Sequence, residues 1–214
     1  MSATADRPAR RRRSDGERSR SAILREAAQL ATVEGIEGLS IGRLADAVGM
    51  SKSGLYAHFG SKEELQLATI ETASVLFEEL VIEPALAAPT ALERLQQLAE
   101  RFLRHVEEGV FPGGCFFASV AAEMDTHPGP VRDLAVAVSE EWAGLFATGV
   151  RDAQAEGTID RREDPEQLAF ELDSYLLLGN AQFVVAQDPA PIERARRAVE
   201  HRLAAAEPSR RARA

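Results

Sequence analysis

The tightest constraint on the fold lies between Ser40 and Leu65, where helical periodicity is cut twice by glycine at short intervals. Ser40 offers an N-capping hydroxyl, and Ile41, Leu44, Ala45 and Val48 follow at the i, i+3, i+4, i+7 spacing of one helical face. Gly49 stands where that helix must stop, because glycine enters the left-handed conformation without a Cβ penalty; Met50 is apolar enough to pack beneath the turn. Ser51 caps a second helix on which Leu55 and Phe59 face inward, while Lys52, Ser53, Tyr56 and His58 remain outside. Gly60 ends it. Ser61 and Glu64 form an S-x-x-E capping box for a third helix, which sets Lys62 beside free backbone N–H groups, an anion-binding arrangement.

Two short helices joined by a tight glycine turn predict a helix-turn-helix, whose second helix lies in the major groove of DNA; a pair of ordinary core helices is the competing reading. Charge favours the first. Lys52 and Lys62 are the only lysines of the chain, and they flank the second helix. Residues 1–60 carry ten Lys+Arg against seven Asp+Glu, a net of +3, within a chain of net −9. An acidic body repels the phosphate backbone and confines binding to the basic end. Ala45 lets the helices approach closely, and Gly54 would bring backbone near DNA at a cost of about 1 kcal/mol in helix propensity.

Arg20 to Leu65 resembles the N-terminal domain of the TetR/AcrR family of bacterial transcriptional regulators. The family's pattern is met by Ser40, Leu44, Ala45, Gly49, Met50, Ser51, Leu55, Tyr56, Phe59, Ser61, Lys62, Glu63 and Leu65, and ILREAAQLATVEG resembles its first helix. Ala31 stands where the family usually has a large aromatic, so helix one is expected to pack on the other two with different geometry. The resemblance implies a DNA-binding domain that also includes Ser51, in which Lys52, Ser53, Gly54 and His58 are expected to face the groove while Ser40, Arg43, Tyr56 and Lys62 hold phosphates. It also implies dimerisation through the last long helices and a pocket for a small organic ligand.

From Ser61 onward the chain reads as helices near 61–82, 90–108, 115–125, 129–156, 164–187 and 191–206, separated by proline and glycine breaks and without strand alternation. The expected fold is all-α with about nine helices. It divides into a disordered basic arm (1–17), a TetR-type helix-turn-helix domain (18–78), a helical ligand-binding and dimerisation domain (79–207) and a disordered tail (208–214). Arg7, Arg10, Arg11, Arg12 and Arg13, with Arg18 and Arg20 nearer the first helix, could touch phosphates or the minor groove, or form a solvated tail. Arg210, Arg211 and Arg213 read as tail.

Gln167 to Gln187 is apolar on two sides. One face runs through Leu168, Leu172, Tyr175, Leu176, Gly179 and Phe183, the other through Phe170, Leu177, Leu178, Ala181, Val184 and Val185. Such a helix needs two partners, its own core and either a second subunit or more of the same domain. Phe111, Phe117 and Met124 recur in the middle helices with the candidate ligand contacts Phe102, His105, Cys115, Phe116, Trp142, Phe146, Tyr175 and Gln182. Cys115 follows Gly113-Gly114 at a helix start, where the dipole would stabilise a thiolate and suit a redox sensor; the neighbouring Phe116-Phe117 suits a buried, inert thiol instead.

No phosphate loop, zinc pair or G-x-S-x-G elbow appears, and His58, His105, His127 and His201 are too dispersed for a local metal motif, so neither an enzyme nor a cofactor is expected. One cysteine rules out an internal disulfide framework, no apolar run approaches a membrane span, and the arginine-rich start leads into no apolar signal region. A cytoplasmic, ligand-released homodimeric repressor on a palindromic double-stranded operator is the leading expectation, with a redox regulator or a helical protein-interaction module as alternatives.

Overall fold

The computed structural model describes residues 7–124 and 126–208. Among these the regular elements are all helical: α1 (Arg7–Glu34), α2 (Ile41–Val48), α3 (Lys52–Tyr56), α4 (Lys62–Phe77), a π-helical turn (Glu78–Ile82), α5 (Glu83–Leu86), α6 (Ala91–Glu107), α7 (Phe116–Met124), α8 (Pro130–Glu156), α9 (Pro165–Ala186) and α10 (Ala190–Ala206). Counting α4, the π turn and α5 as the one continuous helix they form, there are nine, as the periodicity predicts. No described helix is long and apolar enough to cross a membrane.

Two boundaries differ from expectation. α1 begins at Arg7, so it takes in much of the stretch expected to be a disordered arm. Arginine is a good helix former, and Pro8 lies in the first turn, where its missing N–H is no loss. The arginine side chains of that arm, Arg7 and Arg10 to Arg13, and the tail arginines 210, 211 and 213 lie outside the described residues. Pro84, in turn, does not end the fourth helix. Its ring cannot coexist with a normal α hydrogen bond to residue 80, and the chain answers by widening into the π turn and resuming at Glu83.

Two apolar clusters organise the molecule. The smaller joins Ile23, Leu24 and Ala27 of α1 to Leu44, Leu55, Phe59 and Leu65. The larger begins further along the same helices, at Ala28 and Ala31 of α1 and Ile70, Ala73 and Phe77 of α4, and extends through α6 to α10. α1 and α4 therefore belong to both cores. Ala31 looks into the larger one, so its small size bears on docking with the body and not, as expected, on the packing of the first three helices.

Of the two apolar faces of α9, the outer one is not wholly outside, since Leu177 lines the interior cavity and Val184 is half-buried. Leu168, Leu172, Leu176 and Gly179 are buried, whereas Phe170, Leu178 and Val185 are 69%, 58% and 87% exposed. α10 is fastened over the body by two arginines: Arg196 reaches Glu100 of α6 at 2.7 Å, and Arg202 pairs with Glu163 at 2.6 Å and with Glu171 of α9.

Candidate nucleic-acid interface and interior cavity

Local sequence builds the basic end. Ser40, Ser51 and Ser61 each accept a hydrogen bond from the backbone N–H three residues on, at 3.2, 3.1 and 3.0 Å. Gly49 closes α2 at φ 66°, with the Met50 N–H bonded back to the Ala45 carbonyl at 2.9 Å. The capping box at Ser61 is only half formed, because the Glu64 carboxylate accepts from the Gly60 N–H at 3.0 Å and not from Ser61. α3 also stops at Tyr56, one turn earlier than the reading to Phe59, which leaves His58 half-buried in the following turn. Lys52, Ser53 and the Tyr56 ring are exposed on α3 while Leu55 and Phe59 are buried beneath. At Gly54 the crowding is internal: an added Cβ would meet the Ser51 hydroxyl at 3.1 Å, so glycine leaves room for the helix's own cap.

The cations expected to hold phosphates are not equivalent. Arg43 grips the Glu34 carboxylate from Nε at 2.9 Å, and Lys62 pairs with Glu37 at 3.0 Å. Both carboxyls are held below their usual range, Glu34 by the Arg43 hydrogen bonds and Glu37 first by Lys62 and then by Gln66. Lys52 has no carboxylate partner among the described residues. Glu34 and Glu37 are absent from the sequence reading, although an acid near the end of a helix beside a basic groove was visible in the chain.

A strap joins this end to the body. The Glu123 carboxylate, on α7, accepts from the backbone N–H groups of Ile36 at 2.6 Å and Glu37 at 2.8 Å, in the turn between α1 and α2. Gly35 makes the turn at φ 81°, and a Cβ there would stand 2.6 Å from the Glu123 carboxylate, so both the conformation and the approach require glycine. Gln29 Nε2 donates to the Val110 carbonyl at 2.9 Å, and the Gly113 N–H donates to Thr32 Oγ1 at 3.1 Å.

The body holds an open cavity of about 830 Å³ between α4, α6, α7, α8 and α9. Phe77, at the end of α4, lies edge-on to Phe102, Phe117 and Trp142 with ring centroids 6.3, 5.7 and 5.1 Å away, and Phe102 stacks on Trp142 at 5.7 Å. Of the predicted ligand contacts, Phe102, Cys115 and Trp142 line this space. His105, Phe116 and Phe146 do not: they are buried in the packed layer behind it. Tyr175 is half-buried against the core, and Gln182 is exposed on α9. Phe77, Glu78 and Asp173 line the cavity without having been singled out. Asp173 had a signal, as one of two acids, with Glu171, that fall between the apolar faces of α9.

Burial decides the chemistry of Cys115. It is 3% exposed, and desolvation pushes its thiol up to about 11 against the lowering influence of the Phe117 and Ala118 N–H groups. Of the two readings open for Cys115, this burial favours the inert thiol packed beside Phe116 and Phe117 over the redox sensor. Desolvation also raises the Asp173 carboxyl, which accepts a hydrogen bond from Trp142 Nε1 at 2.9 Å.

Comparison with known proteins gives both ends relatives. Residues 23–69 match the family described as "Bacterial regulatory proteins, tetR family", and residues 91–199 match "Tetracyclin repressor-like, C-terminal domain". The chain is 28% identical over 162 residues to the transcriptional regulator AcuR of Cereibacter sphaeroides, spanning 72% of this chain and 71% of that protein. It is similar to the crystal structure of a TetR transcriptional regulator from Chloroflexus aurantiacus, with TM-score 0.80, 26% identity and coverage of 89% and 95% of the two chains. AibR, solved in complex with isovaleryl coenzyme A and operator DNA, superimposes with TM-score 0.67 and 26% identity over 87% of this chain and 97% of that one.

Proposed function

The chain belongs to the TetR family of bacterial regulatory proteins, and from that premise we propose that it is a homodimeric repressor, released from a palindromic operator by a small organic ligand. That it is a transcriptional regulator of a DNA-binding family follows from membership; the dimer, the ligand and the sign of regulation are our reading. In it, residues 18–78 read DNA and residues 79–207 bind ligand and dimerise. Lys52, Ser53, Gly54 and His58 face the groove, with Ser51 capping the reading helix at the DNA-binding surface, while Ser40, Arg43, Tyr56 and Lys62 position the protein on phosphates.

One observation carries the reading: α4 starts at Lys62 beside the α1–α2 turn and ends at Phe77 on the cavity wall, about 22 Å away at roughly 1.5 Å per residue. α7 gives a second connection, since it presents Phe117, Ala118 and Ala121 to the cavity and Glu123 to the backbone of Ile36 and Glu37. A ligand that prefers one arrangement of these helices shifts the spacing of the two reading heads only by its difference in affinity; reversing 99:1 takes about 5.5 kcal/mol. AibR supports the combination, as a protein of this fold solved with both operator DNA and a small molecule.

The test is an electrophoretic shift of DNA from upstream of the chain's own gene, using dimeric, unliganded protein. A sequence-specific complex is expected, weakened about equally on all sequences by Lys62→Ala. No specific complex would instead make the chain a protein-interaction module.

A further inference from the structure

The charges around the cavity identify the chemistry of what it holds. Glu78, Glu141 and Asp173 line it, and no lysine, arginine or histidine does. None of the three carboxylates has a cationic partner among the described residues. Asp173 is also the most enclosed of the three, and its single hydrogen-bond partner is the Trp142 N–H at 2.9 Å. A desolvated carboxylate without a counter-charge is costly to maintain, and a bound cation relieves that cost. Beside it stand Phe77, Phe102, Phe117 and Trp142, whose ring faces attract positive charge and whose bodies accept apolar surface.

We propose that the cavity takes an organic cation: a quaternary ammonium or protonated amine on a largely apolar or aromatic body, its charge set against Asp173 and the Trp142 and Phe77 rings. An anionic ligand would meet three carboxylates and no cation, so a coenzyme A thioester such as the one AibR holds has the wrong charge for this wall. A neutral ligand would leave the half-buried Asp173 carboxylate without a counter-charge. The inference rests on the cavity being the ligand site.

Trp142 is the only tryptophan of the chain and lies on the cavity wall, so its fluorescence reports occupancy directly. The full-length protein is titrated with three probes of similar shape and different charge: tetraphenylphosphonium, triphenylphosphine oxide and tetraphenylborate. Saturable quenching is expected with the cation at the lowest concentration, with the neutral oxide weaker and the borate absent. Asp173→Asn, which keeps an acceptor for Trp142, should weaken the phosphonium by about tenfold or more and leave the oxide within about twofold. Glu78→Gln, at an exposed position that does not endanger folding, should weaken only the cation, by a smaller factor. Oxide or borate binding as tightly as the phosphonium would overturn the charge assignment while leaving the cavity as a ligand site. No saturable response to any probe would remove both.

Discussion

His105 lies edge-on to Phe77 at 5.5 Å and Phe111 at 5.6 Å, is 4% exposed, and has no hydrogen-bond partner for either ring nitrogen among the described residues. Burial pushes its pKa from 6.5 down to about 4. The unfolded chain therefore takes up a proton near pH 6.5 that the folded chain refuses until about pH 4, so stability falls as pH drops through that window. The full effect is about 3 kcal/mol. Urea midpoints measured at pH 7 and pH 4.5 should separate strongly in the wild type and much less in His105→Leu, which should also lose little at pH 7 because it removes two unpaired polar atoms. An unchanged pH dependence in the variant would assign the acid sensitivity to another group.

At the scale of elements, Glu123 is the strut between α7 and the α1–α2 turn. Glutamine there keeps one acceptor oxygen and offers an N–H₂ group to a second donor, so Glu123→Gln should leave one of the Ile36 and Glu37 amides unpaired, at a cost of about 1–3 kcal/mol. Hydrogen exchange at those two amides should accelerate while amides within α8 stay protected. Equal protection in both proteins would mean that the turn holds itself. Helices and caps of this kind differ in how far the chain alone discloses them. Ser40, Ser51, Thr90 and Asp164 cap where they stand because a cap depends on three or four neighbours in sequence. The strut and the Arg43 and Lys62 pairs were illegible because their partners are nine to 87 residues away and meet only in the folded chain. Aromatic composition picked out Phe102, Phe117 and Trp142 of the cavity wall; Phe77 and Asp173 needed the packing of α4 and α9 to be known. The π turn escaped because proline is read as a stop, whereas a helix supported by a core on both sides can widen past it.

For the whole molecule, the exposed stripe of α9 bears on assembly. Phe170, Leu178 and Val185 form an apolar surface suited to pairing with its copy across a two-fold axis. Leu178→Glu would bring two like charges together there, so sedimentation should change from dimer to monomer and specific operator binding should be lost with helicity unaltered; a dimer that survives would put the interface elsewhere. The paired cations have a consequence for DNA binding that is counted in ions. Lys62 already holds Glu37, and Arg43 holds Glu34, so moving either to a phosphate strands a carboxylate that must recruit sodium from solution. Each such exchange returns part of what the DNA sheds. Affinity should then decline with salt less steeply than the roughly 0.9 per phosphate contact of unpaired cations, and Glu37→Gln should bind DNA more tightly and more salt-sensitively than the native chain.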